Sequence, residues 1–551
     1  MALNINTPGV YIQELPAMPG GITGVPTSVA AFVGATEAGP VNTPAFISSW
    51  ASYQQQFGNL SWQAMVPWAV HAFFAEGGSC CWVVRAADAA QASAASLCTG
   101  PLTVHAASPG LWGNALHVMI GNAGSDSAPA ATEAPVFSLS VLLDASISND
   151  PAGPFALLHD YVQANGLAAQ VIQGVGGAVD GKAWYLLERF NGLTSTNLAQ
   201  QVAETVNAQS IFVRANVAPP AAGTAPQRPP NGGPMPLAGG EVPQLDVVAA
   251  TLALDTAETL SNFAQRISLL ATPDTPLATA ADGAASIAAQ GSLVQSGLQY
   301  CQNLGNVFYV VDPPHGLDVP GVLAFKTGQG TAPGGNPTPL TSAFGALYYP
   351  WVFANHPQTG TSVPMPPSGT VLGRYAATDA SVGVWSAPAG VSNGVVQSVT
   401  QLAYPLTDAD QDTLNPQGIN CLRHFNNYGN VIWGARTLSA DLDWTYVSVR
   451  RLVIYVEQSL AASLQWTVFE VNGLPLWIRV TAEVNNFLSA LWRDGGLVGP
   501  TATSAYGVTC NESNNTPQDI LDGILNVTVM LAVTHPAEFL VLTLQLPTAT
   551  P

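Results

Sequence analysis

Apolar residues are dense near the end of the chain, where the stretch Glu538–Leu546 has the composition of a β-strand. One face carries Leu540, Leu542, Leu544 and Leu546, and the other face carries Phe539, Val541, Thr543 and Gln545. Because the strand is apolar on nearly both faces, it must be covered on both sides. His535-Pro536 breaks the preceding element, so the strand is able to leave the body of its own subunit.

A second short strand is predicted at the other end of the chain, over Pro8–Leu15. Its central residues are Val10, Tyr11 and Ile12, and Pro16, Pro19 and Gly20-Gly21 separate it from the rest of the chain. Two detachable strands would each complete a sheet in a neighbouring subunit by β-augmentation. The alternative is that both are ordinary edge strands of one intramolecular sheet, and the pattern alone leaves both open.

Between these arms, the hydrophobic pattern predicts a mixed α and β body. Ser28–Ala35 and Cys80–Ala86 are predicted strands, and Trp62–Glu76 between them is a predicted helix that ends at Gly77-Gly78. Near the C-terminus, apolar residues recur at helical spacing over Tyr446–Leu464 and again over Pro475–Trp492. The body therefore begins and ends with the most regular patterns, and the middle of the chain is more mixed.

This arrangement predicts an α/β fold of mixed α+β character, with a discontinuous core domain, an inserted outer domain and extended terminal β-arms. The core is expected to combine residues 21–100 with 395–535, and residues 101–394 form the insertion. The arms are residues 1–20 and 536–551.

Composition adds limits to this picture. The 551 residues suffice for two to four domains, only 9% of them are charged, and no apolar run reaches the length of a membrane span. Neither a signal peptide nor direct insertion into a membrane is expected from the N-terminal sequence or the hydropathy. The formal net charge of −20 argues against a nucleic-acid partner.

Several of the basic residues nevertheless lie in one C-terminal window. They are Arg423, Arg436, Arg450, Arg451, Arg479 and Arg493. One interpretation is a contact-making inner surface. The other is internal pairing with nearby carboxylates, and both remain open at this stage. These carboxylates are Asp441, Asp443, Glu457, Glu483 and Asp494.

Motifs for catalysis or ligand binding are weak. Gly176–Lys182 has P-loop spacing, but Ala183 stands where the metal-binding hydroxyl belongs, so a glycine-rich turn is expected. The histidines form no HExxH motif, and the cysteines have no CxxC spacing and are interpreted as buried thiols in a reducing compartment. Asp408, Asp410 and Asp412 are interpreted as the first turn of a helix. We therefore expect no catalytic residues, no cofactor and no metal.

A set of motifs in order along the chain resembles the contractile tail sheath proteins of phages and phage-tail-like injection systems. The motifs are Thr7–Glu14, Val25–Gly34, Tyr348–Trp351, Pro366–Gly369, Leu414–Cys421, Val431–Leu438, Trp466–Glu470, Leu491–Gly495 and Pro536–Phe539. The resemblance covers roughly residues 1–90 and 300–546, and residues 100–290 match only loosely. The segment from Thr370 to Pro388 departs from the family pattern because it is poor in Lys and Arg.

The resemblance implies a sheath subunit that polymerises helically around an inner tube and contracts to drive the tube through a target envelope. The arm residues around Tyr11 and Leu542 would then pair with neighbouring subunits, and Arg479 and Arg493 would face an acidic inner tube. Further implied partners are a paralogous sheath protein and the baseplate and terminator or cap proteins. Assembly is expected in the bacterial cytoplasm, followed by a place in a phage tail or tail-like particle.

Two other classes of protein stay open. A non-contractile capsid or baseplate protein would not form long contractile tubes. A surface-acting hydrolase would need a nucleophile or perturbed carboxylates in a cleft, and the sequence shows neither.

Overall fold

A computed structural model of the chain describes most of the residues between the arms. The described ranges are 21–60, 64–88, 92–122, 136–147, 155–172, 182–220, 227–241, 251, 266–275, 283–328 and 338–538. The predicted arm strands and the glycine-rich turn at 176–181 lie outside these ranges. The arm residues concerned are Val10, Tyr11, Ile12, Phe539, Leu540, Val541, Leu542, Leu544 and Leu546.

Strands and helices follow one another along most of the described chain. The strands are β1 (Ala30–Gly34), β2 (Ala45–Ile47), β3 (Cys81–Arg85), β4 (Ser96–Thr99), β5 (Leu102–Ala106), β6 (Leu116–Asn122), β7 (Val136–Asp144), β8 (Gln170–Val171), β9 (Ala183–Thr194), β10 (Val213–Val217), β11 (Gly232–Pro236), β12 (Leu269–Ala271), β13 (Phe308–Val311), β14 (Gly345–Tyr349), β15 (Val352–Asn355), β16 (Ser362–Met365), β17 (Gln401–Leu402), β18 (Ile419–Phe425), β19 (Gly429–Ile432), β20 (Tyr506–Thr509) and β21 (Thr528–Leu531). The α-helices are α1 (Trp50–Phe57), α2 (Val66–Ala75), α3 (Ala156–Ala164), α4 (Leu198–Gln201), α5 (Gly283–Leu304), α6 (Val319–Thr327), α7 (Ser368–Ser381), α8 (Gly390–Asn393), α9 (Asp408–Leu414), α10 (Val447–Ser463), α11 (Leu474–Arg493), α12 (Ala502–Ala505) and α13 (Pro517–Leu521).

The central feature is an eight-stranded sheet with the strand order β19-β18-β14-β13-β12-β1-β3-β2. Its six inner strands run parallel, and β19 and β2 pair antiparallel at the two edges. The inner strands are short, continuous apolar runs because both of their faces are covered. The predicted strand–helix–strand unit at the start of the body is confirmed as β1, α2 and β3.

Helices cover this sheet on both faces. On one face Ala30 and Phe32 of β1 pack in a core with α1, α2 and α7. On the other face Ala31 and Val33 pack in a core with α5 and α6. Consecutive residues of one strand thus belong to opposite layers, as the two-residue period of a strand requires.

Helices α2 and α7 approach each other so closely that only glycine fits at the crossing. A Cβ added to Gly369 would lie 2.3 Å from the carbonyl oxygen of Ala69, and one added to Gly373 would lie 2.7 Å from the carbonyl oxygen of Phe73. Because the atoms in the way belong to the backbone of α2, no side-chain rotation relieves these contacts.

The central sheet includes strands from the segment that was predicted to form the insertion. Strands β12, β13 and β14 lie within residues 101–394, yet they hydrogen-bond between β1 and β18 in the central sheet. Their partners are distant in sequence, and the hydrophobic pattern carries no information on which strands pair. The mixed α/β class is confirmed, and the inserted outer domain remains a prediction.

Two antiparallel sheets occupy much of the stretch between β4 and β11. Their strand orders are β10-β5-β4 and β11-β6-β7-β9-β8, and they share one apolar core. One prediction about the cysteines is wrong here: Cys98 is exposed and Cys80 is half-buried, whereas the other four are buried. Cys98 is exposed because β4 is an edge strand, and Ser96 and Cys98 project from its outer face.

The chain divides into two compact units. The main unit contains described residues 26–454 and 535–538, and the C-terminal unit contains described residues 21–25 and 455–534. In the C-terminal unit, α11 buries the apolar stripe that its sequence predicts, and β20 and β21 form a two-stranded antiparallel sheet. No helix in the ranges given above is both long and apolar enough to cross a membrane.

Candidate assembly surfaces

The root of the C-terminal arm, residues 535–538, is tied to the main unit. Arg436 donates from Nε to both carboxylate oxygens of Glu538, at 3.0 and 3.1 Å, and its Nη2 forms an ion pair with the same carboxylate. Both side chains are largely buried, and their bonding raises the pKa of Arg436. The ring of His535 packs edge-on against Tyr446 with the centroids 6.0 Å apart. The arm therefore starts from a defined point on the main unit.

A cavity of about 520 Å³ lies beside this root. Pro536, Ala537 and Glu538 line it together with residues of α9 and the segment after β19. The ion pair between Arg436 and Glu538 lies beside this cavity. Neither residue was expected to pair with the other, because 102 positions separate them along the chain.

The root of the N-terminal arm, residues 21–25, belongs to the C-terminal unit. The backbone N–H groups of Thr23 and Val25 donate to the hydroxyl groups of Ser463 and Ser459, both at 3.1 Å. These serines are spaced one helical turn apart on α10, so the helix presents two acceptors to one extended segment. Because serine is common on helix surfaces, nothing in the sequence indicated this contact.

The sheet formed by β20 and β21 has two edges at which another strand can add. Its four residue pairs run from Tyr506 with Leu531 to Thr509 with Thr528, and no third strand joins it within the described residues. A sheet of two strands is marginal on its own and offers a row of backbone donors and acceptors on each side. Met530 of β21 is also largely exposed. These edges fit the expectation that arm strands are received by another subunit.

Most arginines of the basic window are engaged within the chain. Arg423 pairs with Asp408 at 2.6 Å, and Arg436 pairs with Glu538. Arg451 pairs with Asp379 at 2.6 Å, with both side chains at least 96% buried. Arg450 is buried between the rings of Phe344 and Trp444, at 4.0 and 4.6 Å from their centroids. Arg423, Arg436 and Arg451 thus pair with carboxylates of the chain other than the five expected from the sequence, and Arg450 packs between two aromatic rings.

Arg479 and Arg493 lie on α11 in a different environment. Arg479 is 39% exposed, stacks on Trp466 at 3.7 Å and donates to Glu483 at 3.2 Å. Arg493 is exposed and donates from Nε to the carbonyl of Ser489 at 3.2 Å. Fourteen residues separate the two arginines, which places them on nearly the same side of the helix and about 21 Å apart along its axis.

An exposed apolar loop, residues 468–474, adjoins the start of α11. Phe469 is fully exposed and has a φ of 71°, a conformation that aromatic residues rarely adopt. Val471 and Leu474 are exposed as well. Asn472 holds the loop, since it donates to the carbonyl of Ile524 and accepts from the indole N–H of Trp477, both at 2.8 Å. Only the unusual run Val-Phe-Glu-Val in a loop indicated this surface in the sequence.

Several carboxylates with strongly shifted pKa values are buried beside the central sheet. Asp274 accepts hydrogen bonds from the backbone N–H groups of Ala35, Met65 and Val66, at 2.8, 2.6 and 3.1 Å. Asp312 accepts from the N–H of Ser368 at 2.9 Å, at the start of α7. Burial raises the pKa of each aspartate to about 7. Their partners are backbone groups at strand and helix ends, so their role in the described structure is to join the elements of the fold.

The region around Asp408 behaves as its sequence predicts. Thr407 and Asp410 form a reciprocal capping box at the start of α9, and these bonds lower the pKa of Asp410. Asp412 lies in the second turn of the same helix, so only Asp408 and Asp410 occupy the first turn as predicted. Across the described ranges, no cluster of His, Cys, Asp or Glu is arranged to hold a metal ion.

Family models match the C-terminal part of the chain. The model of the phage tail sheath protein central domain matches residues 315–438, and the model of the phage tail sheath C-terminal domain matches residues 439–547. Together the two models cover the three strands β19, β18 and β14 at one edge of the central sheet, the residues Arg436 and Glu538, and residues 455–534 of the C-terminal unit.

Individual proteins are similar to the chain in sequence or fold. The tail sheath protein of Vibrio phage KVP40 is 26% identical over 159 residues, which are 29% of this chain and 23% of that protein. The contracted helical sheath of the anti-feeding prophage shares the fold with a TM-score of 0.52 and 23% identity, over 98% of this chain and 99% of the other. The sheath tail protein of Desulfitobacterium hafniense has a TM-score of 0.54 and 12% identity, over 91% and 93% of the two chains.

Proposed function

The chain belongs to the phage tail sheath family, and we propose that it is the repeating structural subunit of a contractile sheath. In this proposal, subunits polymerise helically around an inner tube, and contraction of the polymer drives the tube through a target envelope. The observation that carries the proposal is that β20 and β21 form a sheet of only two strands within the described residues, in a chain whose two ends have strand-like sequences.

Strand exchange is the proposed mechanism of polymerisation. The arm residues Val10–Ile12 and Phe539–Leu546 would add to the edges of β20 and β21 in neighbouring subunits. Each subunit thus donates strands and accepts strands, and head-to-tail contacts of this kind continue without closing, which generates a helical filament. At about 1 kcal/mol net per hydrogen bond, six or so bonds per arm and the burial of the leucine face hold the subunits together.

Contraction is proposed to be a rigid-body rotation and outward movement of subunits, while the exchanged strands stay paired. Several hydrogen bonds along the exchanged strand support this proposal. Together they resist separation of the two subunits, whereas the folded body joined to the end of the strand is able to rotate.

Arg479 and Arg493 are proposed to contact the inner tube. Their place on one side of α11 supports this, and so does the exposed apolar loop that adjoins the same helix. An exposed charge pair is worth only about 0–1 kcal/mol, but the contact repeats at every subunit of the tube. Baseplate and terminator proteins, and a paralogous sheath protein, are proposed as further partners, with assembly in the bacterial cytoplasm.

Truncation of the arms tests the proposal. Removal of residues 539–551, or of residues 1–15, should abolish polymerisation and leave a folded subunit, because the strands serve neighbours rather than their own sheet. Circular dichroism and thermal melting report the fold, and electron microscopy of the same sample reports the polymer. Removal of 549–551 alone is the control, since it leaves every predicted arm strand intact. Tubes formed by the truncated chain would refute strand exchange, and an unfolded truncated chain would show that the strands belong to an intramolecular sheet.

A further inference from the structure

We propose that the ion pair between Arg436 and Glu538, the arm-root ion pair, positions the C-terminal arm for strand exchange. This inference rests on the proposed function, because it assigns a role to two residues in that same exchange. It makes Arg436 and Glu538 positioning residues: neither is part of the exchanged strand beyond residue 538.

The geometry of the pair is that of a strong, charge-assisted interaction. The guanidinium group of Arg436 approaches the carboxylate of Glu538 with two of its nitrogens, and a planar fork of this kind fixes both distance and orientation. The side chains are only 18% and 16% exposed, so solvent screens the attraction weakly. Arg436 is itself fixed, since its Nη1 donates to the carbonyl of Asn415 at 3.3 Å and its backbone N–H donates to Asn420 at 2.6 Å.

The place of the pair in the chain gives it this role. The residues up to 534 belong to the C-terminal unit, where Thr534 donates to the carbonyl of Gly496 at 3.4 Å. At residue 535 the chain joins the main unit, and Glu538 is its last described contact there. The pair therefore fixes the end of the root on the main unit, while the contact of His535 with Tyr446 holds the beginning of the root there.

The expected size of the effect follows from preorganisation. If the pair is broken, the root keeps the contact of His535 with Tyr446 but loses its attachment at Glu538. The end of the root must then be ordered when subunits associate. Bonds to a charged group are strong enough that we expect the critical concentration for polymerisation to rise roughly ten- to hundredfold.

The test compares four forms of the full chain with a matched control. Glu538→Gln removes the charge and keeps the shape, and Glu241→Gln makes the same change at an exposed glutamate in the antiparallel region. Arg436→Glu, Glu538→Arg and the double variant that carries both changes exchange the charges and complete a double-mutant cycle. The measurements are the critical concentration by sedimentation, the urea midpoint of the subunit, and the rate at which protease removes the C-terminus.

We expect Glu538→Gln to raise the critical concentration and to speed C-terminal cleavage, with an unchanged urea midpoint. Glu241→Gln should change none of these quantities. The charge-exchanged double variant should recover part of the polymerisation that each single variant loses. The proposal is overturned if Glu538→Gln polymerises within about twofold of the native chain, or if the charge-exchanged variant is no better than either single variant. Removal of residues 539–551 in the same assay separates the two levels of inference. If that truncation abolishes assembly while Glu538→Gln does not affect it, only the ion-pair proposal fails; if the truncated chain assembles, strand exchange itself fails.

Discussion

The ion pair between Arg451 and Asp379 should contribute far more to stability than other arginine–aspartate pairs on this chain. Asp379 is 4% exposed and Arg451 is 3% exposed. The carboxylate accepts from Arg451 Nη1 at 3.0 Å and Nη2 at 2.6 Å, and from the hydroxyl of Thr27 at 2.6 Å. We expect Asp379→Asn to destabilise the main unit because it leaves a guanidinium group buried without its counter-charge.

Removal of one partner from a buried ion pair typically costs about 3–5 kcal/mol. The lower part of that range applies here, since Arg451 keeps two other contacts: it donates to the carbonyl of Thr27 at 2.9 Å and stacks on Tyr375 at 4.7 Å. We therefore expect a loss of about 3 kcal/mol in the free energy of unfolding.

Asp408→Asn is the matched control for this prediction. Asp408 also pairs with an arginine at 2.6 Å, but its side chain is 89% exposed. The same chemical change there should cost only about 0–1 kcal/mol. Urea unfolding at pH 7, followed by tryptophan fluorescence at a concentration where the subunit is monomeric, measures both variants.

The reasoning is refuted if the two asparagine variants differ by less than about 1 kcal/mol. A third variant sharpens the test. When Arg451→Met and Asp379→Leu are combined, no buried charge is left, so the double variant should be more stable than Asp379→Asn alone.

Three further predictions follow from other features of the chain. Burial raises the folded-state pKa of Asp312 to about 7, above its unfolded value near 4, so its contribution to stability is complete below about pH 4 and is lost as pH rises through about 7. Asp312→Asn should therefore reduce the fall in the urea midpoint between pH 5 and pH 8. Gly369→Ala should lower the melting temperature by several degrees, although a helical glycine-to-alanine change normally stabilises, because the new Cβ meets the backbone of Ala69 at 2.3 Å. Arg493→Glu should weaken co-assembly with the tube and change its salt dependence, and should not alter polymerisation of the sheath alone.

Each of these three predictions has an outcome that would contradict it. A pH profile of Asp312→Asn that superimposes on that of the native chain would show that this aspartate is ionised throughout. A gain in melting temperature for Gly369→Ala, like that expected at the open position Gly21, would show that α2 and α7 adjust their separation. Unchanged co-assembly of Arg493→Glu would remove this residue from the tube contact.

The sequence predicts the elements best where the periodic pattern is long. The stripe of α11, with Leu476, Val480, Val484, Leu488 and Leu491, is buried as its spacing indicates. A helix of this length repeats the apolar spacing over several turns, so the pattern remains recognisable when one position departs from it. Phe487, which belongs to the same predicted stripe, is half-buried and packs against Tyr455 at 5.8 Å.

Short strands and their order in the sheet are less accessible to prediction. Strand β12 has three residues, too few for a pattern to distinguish it from a loop. Its neighbours β1 and β13 lie some 240 residues before it and 40 residues after it, as the pairing of Leu269 with Ala30 and Phe308 shows. Parallel pairing depends on long crossover connections, and nothing local in the sequence encodes the partner.

The candidate assembly surfaces likewise have some features that the sequence predicts and others that depend on the fold. Composition and spacing identified the arms as strand-like, and they identified the basic window, because both are properties of consecutive residues. Which arginine is paired was decided by tertiary structure: Arg436 meets Glu538 across 102 positions, and Arg451 meets Asp379 across 72.

The sequence alone thus predicts the type of each long element, the apolar character of both arms and the resemblance to tail sheath proteins. The folded structure was needed to show that β12–β14 join the central sheet, that four arginines of the window are engaged internally, and that residues 535–538 lie on the main unit. The physical reason is the range of the interactions. Periodicity and turn chemistry act over a few residues, whereas strand pairing and buried ion pairs depend on distances that exist only once the chain has folded.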